Sequence, residues 1–454
     1  MRVPKRWYQR LMLLVTLGAG ILALVVASGA IDRLSHDGDA DKSLALRALG
    51  IYWGLSLSLL LVLGHVKTHG KQLLLLVGST LVAVGGAELS LRVLAPHLCM
   101  PRYQSQHSVE FHHAMPTRET MHFGLIGGKH VFVQTNEDGL RSQYDREQFR
   151  QSDIRIACLG DSFTFGYGVQ GEDSYPARLQ HQLRGRLGQE SVAVLNAGVT
   201  SYSPLLEDRL LRRVVRHYEP QVVLLMIDCT DIGDDYQYAG ELMRPGARDG
   251  DFAPRETASQ GTDLGAVWRL TERWRDTEAL KVPIRLLGRF GNRQPPPVYD
   301  YYSFEAPVGN VSERNRFFIF RHPLADTRSY FDRSWSYIER VAATCEELDA
   351  RLVVVISPRF HHWNRQECPN NWEESEYLRD GPYQYEFFRF FKEQASTAPF
   401  DVRSLLPEFQ ACEQFPLVFD SDPHWNRAGH QFVAQTLSNL LVDELQVFEE
   451  AGAR

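Results

Sequence analysis

Between Ile154 and Val169 the chain reads IRIACLGDSFTFGYGV, a short, largely apolar run that stops at Gly160-Asp161-Ser162 and passes into a glycine-rich segment. A short apolar run bounded by turn residues reads as a buried strand. A serine just past the C-terminal end of a strand lies where open α/β sheets place their ligand sites. Gly160 lets the backbone turn sharply and leaves room for a substrate. Ser162 is therefore a candidate nucleophile, although a strand followed by an ordinary Ser-capped helix has the same local signature.

From Arg155 onward the pattern alternates. Strands are expected at Arg155–Leu159, Val192–Asn196, Gln221–Ile227 and Arg351–Ser357. Helices are expected at Tyr175–Leu187, Leu205–Arg216, Tyr337–Leu348 and Arg427–Leu445, the last with Phe432, Val433, Thr436, Leu437, Leu440 and Leu441 on one face. Such alternation predicts an α/β fold, a parallel sheet flanked by helices on both faces, with the active site at the strands' C-terminal ends. Between about Tyr236 and Trp335 the alternation fails over too long a stretch for a plain connection. That stretch reads as an insertion, a cap or lid near the site. It contains Tyr299, Tyr301, Tyr302 and Phe304, which either line a pocket or, the favoured reading, pack the insertion onto the domain. Asn310-Val311-Ser312 fits a glycosylation triplet, which means nothing without a secretory host.

Near the C-terminus, Asp422-Pro423-His424-Trp425-Asn426 sets a carboxylate and an imidazole two residues apart. A serine is a weak nucleophile and needs a base, which in turn needs an orienting acid. Together these blocks resemble the SGNH/GDSL hydrolase family, in which the serine lies in a GDS block near the domain's start and the Asp and His in one block near its end. The resemblance runs from roughly Asn136 to the C-terminus with a gap in the middle. Asn136-Glu137-Asp138-Gly139-Leu140-Arg141 is similar to the lead-in that precedes the GDS block in membrane-anchored members; read locally, it is a turn. The resemblance implies a flavodoxin-like three-layer fold and a triad of Ser162, His424 and Asp422, with Asp420 as a fallback for the acid. It also implies an oxyanion hole built from the N–H of Ser162, the N–H of Gly198 in Asn196-Ala197-Gly198, and a side chain in a third block. There the family pattern G-x-N-D is replaced by Asp228-Cys229-Thr230-Asp231, so Thr230 takes the asparagine's place. A threonine hydroxyl can donate one hydrogen bond, whereas an ionised Asp228 beside an oxyanion would be unfavourable. Asn426 and Gly429 match residues that usually follow the histidine, and they equally suit an N-cap and first-turn packing for the last helix.

The first hundred residues have a different character. Leu11–Ala30 and Ala48–Val66 are apolar runs of spanning length, and a third begins at Leu73 and runs to about Leu94, interrupted by Glu88 and Arg92. Residues 1–95 are thus expected to form an all-α membrane anchor of three transmembrane helices. Arg2, Lys5, Arg6 and Arg10 keep the N-terminus cytoplasmic, and three crossings place the rest on the extracytoplasmic side. Residues 96–152 are expected to be a linker and lead-in, and 153–454 the hydrolase-like domain with its insertion at about 236–335. The linker holds His107, His112, His113, His122 and His130, with no spacing diagnostic of a metal. Cys368 and Cys412 fall in loop-like regions and could pair in an oxidising compartment, while Cys158 belongs to a buried strand. A net charge of -7 gives no support for nucleic-acid binding.

These features predict a membrane-anchored serine esterase acting, without cofactor or metal, on an acylated cell-envelope glycan or lipid. An O-acyltransferase would use the same triad, because hydrolysis and transfer share an acyl-enzyme. The altered third block leaves open a catalytically silent domain that serves in surface-polymer binding or assembly.

Overall fold

The computed structural model describes residues 100–108, 110–242, 304–371, 373, 378 and 380–448, together with scattered helical residues between 78 and 89. The expected spans Leu11–Ala30 and Ala48–Val66 lie outside the described residues, as do most of the third run, Tyr299, Tyr301 and Tyr302. Among the described residues no helix is long and apolar enough to cross a membrane.

The stretch read as a linker carries defined structure. Strand β1 (Gln106–Ser108) pairs antiparallel with β2 (His112–Ala114), and β3 (Thr120–Ile126) with β4 (Lys129–Gln134), followed by a short helix α1 (Arg146–Arg150). The lead-in sequence follows β4 as a side-chain-locked turn. Asn136 Oδ1 accepts the N–H groups of Asp138 and Leu140, both at 3.0 Å, while its Nδ2 donates to the Tyr144 carbonyl and the Tyr218 hydroxyl. Gly139 has φ +77°, and a Cβ there would lie 2.5 Å from the Met115 carbonyl oxygen, so both the turn and the close approach require glycine.

The main sheet is parallel, with strand order β11-β10-β7-β5-β6. Its chain order is β5 (Ile154–Gly160), helices α2 (Ser162–Phe165) and α3 (Tyr175–Leu187), β6 (Val192–Gly198), α4 (Pro204–Arg213), β7 (Val222–Ile227) and α5 (Asp231–Leu242). A small hairpin, β8 (Ala306–Val308) and β9 (Val311–Glu313), precedes α6 (Leu324–Glu347), β10 (Arg351–Ile356), α7 (Glu386–Ala395), β11 (Asp401–Ser404), α8 (Leu406–Ala411) and α9 (Arg427–Asn439). Every residue of β6 and β7 is buried, as expected when helices cover both faces of a parallel sheet. Helices α3 and α9 pack on each other, and α4, α5 and α6 form a second group.

Neither bound expected for the insertion, about 236 and 335, falls at the end of an element. Helix α5 continues through Tyr236 to Leu242, and Trp335 lies inside α6, eleven residues beyond its first residue Leu324. Phe304 is buried against Tyr236 and Phe318, so it packs onto the domain. Strand β11 has no apolar run to announce it; its residues are Asp-Val-Arg-Ser, a short edge strand. Cys158, Cys229, Cys345, Cys368 and Cys412 are all free thiols, so Cys368 and Cys412 are not joined here.

The last helix is set by its first turn. The Asn426 side chain caps α9 by accepting the N–H groups of Ala428 and Gly429, and it donates to the carbonyls of Pro416 and Val418. A Cβ on Gly429 would lie 2.1 Å from the Leu417 carbonyl oxygen. Gly429→Ala must therefore push the helix away from that strand-like segment. We expect it to cost about 1–3 kcal/mol, measured as a lower urea midpoint with an unchanged slope.

Candidate active site

Strand β5 lies between β6 and β7, the point where the chain's direction across the sheet reverses, and such a point opens a crevice at the strand ends. Gly160 ends β5 opposite Gly198 at the end of β6. Asp161 then caps α2 by accepting the Phe163 N–H at 2.9 Å, and its other carboxylate oxygen lies 3.3 Å from the hydroxyl of Ser162 at the helix start. The Asp422–His424 segment approaches from the other end of the chain. A bridge between Val418 and Trp425, with Phe419 donating to the His424 carbonyl, folds residues 418–425 into a tight loop. Trp425 anchors that loop; it is fully buried against Phe163, Tyr175 and Phe409.

This arrangement brings three of the expected residues into line. Ser162 Oγ lies 2.7 Å from His424 Nε2, and His424 Nδ1 lies 2.5 Å from Asp422 Oδ1. Asp422 also accepts the His424 backbone N–H at 2.9 Å. Burial would raise the Asp422 carboxyl, but the imidazole, these hydrogen bonds and the nearby Arg359 charge hold it below the ordinary carboxylate value. Asp420 is turned away and accepts from Asn370 Nδ2 at 2.7 Å. The His424 ring sits between two aromatic rings: Tyr167 stacks on it at 4.5 Å and Phe163 lies 4.9 Å away.

The two other expected oxyanion donors are engaged within their own loops. The Gly198 N–H donates to Asn196 Oδ1 at 3.0 Å, and the Thr230 hydroxyl donates to Asp228 Oδ2 at 2.7 Å. Sequence reasoning missed the partner that explains Asp228. Arg359, just past the end of β10, grips that carboxylate through Nε at 3.0 Å and Nη2 at 2.7 Å, and reaches Glu373 through Nη1 at 3.2 Å. Although burial would raise Asp228, the guanidinium and the Thr230 donors hold its carboxyl well below the usual range. The charge that would oppose an oxyanion is thus neutralised. Arg359 belongs to no motif; the only signal for it was a charged residue at the end of a strand in such a sheet.

Arg141, the last residue of the lead-in, is also a site residue. It is fully buried and donates to the carbonyls of Phe165 (3.0 Å), Gly166 (2.6 Å), Val169 (2.7 Å) and Phe132 (3.2 Å). Burial lowers its pKa to about 10, so it stays charged at neutral pH. Burial raises the Glu207 and Asp231 carboxyls well above the ordinary carboxylate range. Among the described residues no group of three or more His, Cys, Asp or Glu is arranged to hold a metal ion.

Removing the Arg359 charge leaves Asp228 buried and uncompensated. We expect Arg359→Met to cost about 3–5 kcal/mol at neutral pH, and Arg359→Met with Asp228→Asn to recover most of it. Because the folded Asp228 value lies below its unfolded value of about 3.9, the pair's contribution is fully present above that pH and is lost as pH falls through the folded value. Urea unfolding at pH of about 7 and about 3 checks both the cost and its sign.

The sequence from 158 to 432 matches the GDSL-like Lipase/Acylhydrolase family. No curated protein matches the chain. Among solved structures it is similar to the acetyl xylan esterase AlAXEase, at 14% identity and a TM-score of 0.34 over 63% of this chain and 98% of that one. It is also similar to the psychrotrophic esterase EstA from Pseudoalteromonas sp., at 12% identity and 0.32 over 64% and 98%. A third is Axe2, an acetylxylan esterase from Geobacillus stearothermophilus, at 14% and 0.32 over 64% and 93%. The family match spans more than half of the 454 residues, and the chain belongs to the GDSL-like lipase/acylhydrolase family, as a hydrolase acting on ester bonds.

Proposed function

We propose that the chain is a membrane-anchored serine esterase that removes acyl groups from a cell-envelope glycan or lipid through Ser162, His424 and Asp422. The observation that carries the reading is the unbroken line Ser162 Oγ–His424 Nε2–His424 Nδ1–Asp422 Oδ1 at 2.7 and 2.5 Å. His424 Nε2 accepts the Ser162 proton as Oγ attacks the ester carbonyl, forming a tetrahedral oxyanion. Collapse breaks the bond to the alkoxide, which leaves with the proton from His424, and the acyl group stays on Ser162. Water, deprotonated by the same nitrogen, then releases the acid. Asp422 keeps the Nδ1–H tautomer and stabilises the imidazolium, while the flanking rings of Tyr167 and Phe163 favour a cation held against them. A hydroxyl acceptor in place of water gives O-acyl transfer by the same steps. None of these steps calls for a cofactor.

The apolar runs in residues 1–95 and the basic start of the chain support an anchor with the catalytic domain on the extracytoplasmic side. That placement is the reason for choosing an envelope glycan or lipid as the acyl carrier. A second reading, a silent domain in polymer binding or assembly, draws on the engagement of the Gly198 N–H and the Thr230 hydroxyl inside their own loops.

Labelling of the detergent-solubilised protein with a fluorophosphonate separates the two. We expect covalent labelling of wild type that vanishes in Ser162→Ala, with ester turnover falling by at least about a thousandfold and the melting temperature unchanged. A folded wild type that resists the probe would favour the silent reading.

A further inference from the structure

The loop after β6 is held in a conformation that a serine rarely adopts. Ser201 has φ +62°, in the left-handed region. The loop leaves the sheet beside the nucleophile turn, where the Val199 N–H donates to the Gly160 carbonyl at 3.0 Å. Three groups from other elements grip residues 200 and 201. His113 Nε2 contacts the Thr200 carbonyl at 2.7 Å, the Tyr103 hydroxyl bonds the Thr200 hydroxyl at 2.9 Å, and the Tyr238 hydroxyl donates to the Ser201 carbonyl at 2.6 Å. In return, the Tyr202 hydroxyl donates to the His113 carbonyl at 2.8 Å.

Behind His113 stands a chain of ionisable groups. His113 Nδ1 lies 2.8 Å from His112 Nδ1, and His112 Nε2 lies 3.0 Å from Glu241 Oε2 on α5. The protons in this chain can be counted. A carbonyl only accepts, so His113 Nε2 carries a proton. The contact between the two Nδ1 atoms needs a second, and the contact to Glu241 a third. Two neutral imidazoles and a carboxylate hold only two protons, so the intact chain carries one more.

We propose that Glu241, His112 and His113 form a positioning relay that fixes the Thr200–Ser201 peptide in the loop that leaves the sheet beside the nucleophile turn. In a trans peptide the carbonyl and the following N–H point in opposite directions. Holding the Thr200 carbonyl toward His113 therefore aims the Ser201 N–H away from the hairpin. The inference rests on the esterase reading and adds to it a residue set on β2 and α5 that touches no reacting atom. Loss of the extra proton breaks one link of the relay and loosens its hold on the peptide, which Tyr103 and Tyr238 still contact, so the relay makes turnover fall at alkaline pH. The other titratable or charged groups around the pair are Tyr238, with its ring 4.8 Å from His112, and Tyr202, with its ring 5.1 Å from His113. Arg209 binds the Glu110 carbonyl at 2.8 Å, and the Glu110 carboxylate lies 3.6 Å from Arg213.

Glu241→Gln distinguishes the relay from a structural contact. A glutamine amide donates to His112 Nε2, every link is then made with neutral imidazoles, and no extra proton remains to be lost. The full-length protein is assayed on p-nitrophenyl acetate across pH, beside fluorophosphonate labelling. In Glu241→Gln we expect kcat near pH 7 within about threefold of wild type, with the alkaline fall of kcat displaced or absent. In His113→Ala we expect kcat to drop about tenfold or more with KM unchanged, since a misplacement of about 1 Å transmitted to the reacting groups can cost about 10²-fold. His113→Gln, which keeps a donor toward Thr200, should restore most of the loss. Superimposable pH profiles for wild type and Glu241→Gln, or a folded His113→Ala within about twofold of wild type, would overturn the relay while labelling of Ser162 left the esterase reading standing. A wild type that is not labelled at all would overturn both.

Discussion

One buried guanidinium holds the nucleophile turn in place. Arg141 ties three carbonyls of the segment 165–169 to one carbonyl of β4. Carbonyls at the end of a one-turn helix lack intrahelical partners, and Arg141 adds its donors to those that Asn196 gives Phe165 and Val169 gives Gly166. A charged donor with a rigid fork can serve several at once, and its own charge is solvated by those dipoles. The glycine-rich run after Ser162 is thereby given one shape, and the imidazole of His424 finds the ring of Tyr167 where that shape puts it. The same guanidinium requires the locked turn at Asn136, because only that turn delivers residue 141 to the interior.

Much of the sheet was legible because the signal was local. Four strands and helix α3 follow from apolar runs and their punctuation, and α3 has the expected bounds. The sheet's fifth strand was not legible, since a four-residue edge strand with one buried residue has no periodicity to read. The helix at Asp231–Leu242 was hidden by its acidity. Burial raises the Asp231 carboxyl well above the ordinary carboxylate range and Asp235 to about 7. A pattern scan that treats every aspartate as solvated reads such a helix as loop.

At the site, Ser162, His424 and Asp422 could be named from two sequence blocks and the family resemblance those blocks carry, whereas their surroundings could not. The blocks around Ser162 and His424 are contiguous in sequence, and each carries its own turn chemistry. Arg359 acts across the sheet on Asp228 from a strand distant in the chain, and nothing in its neighbours marks it. The third block shows the consequence. Read as a string, Asp228 and Thr230 look like damage to a donor set. Seen with Arg359, they form a hydrogen-bonded unit in which the Asp228 charge is paired.

The two small hairpins ahead of β5 change what counts as the domain. The family match starts at 158, inside β5, yet the compact unit starts at Arg102. Inherited pattern and folding unit therefore have different edges. The extra segment, about a third of a typical domain in length, holds the guanidinium, the histidine pair and the tyrosine that shape both loops around the serine. A fragment cut at the matched edge would keep Ser162, His424 and Asp422 and lose the parts that give them their places.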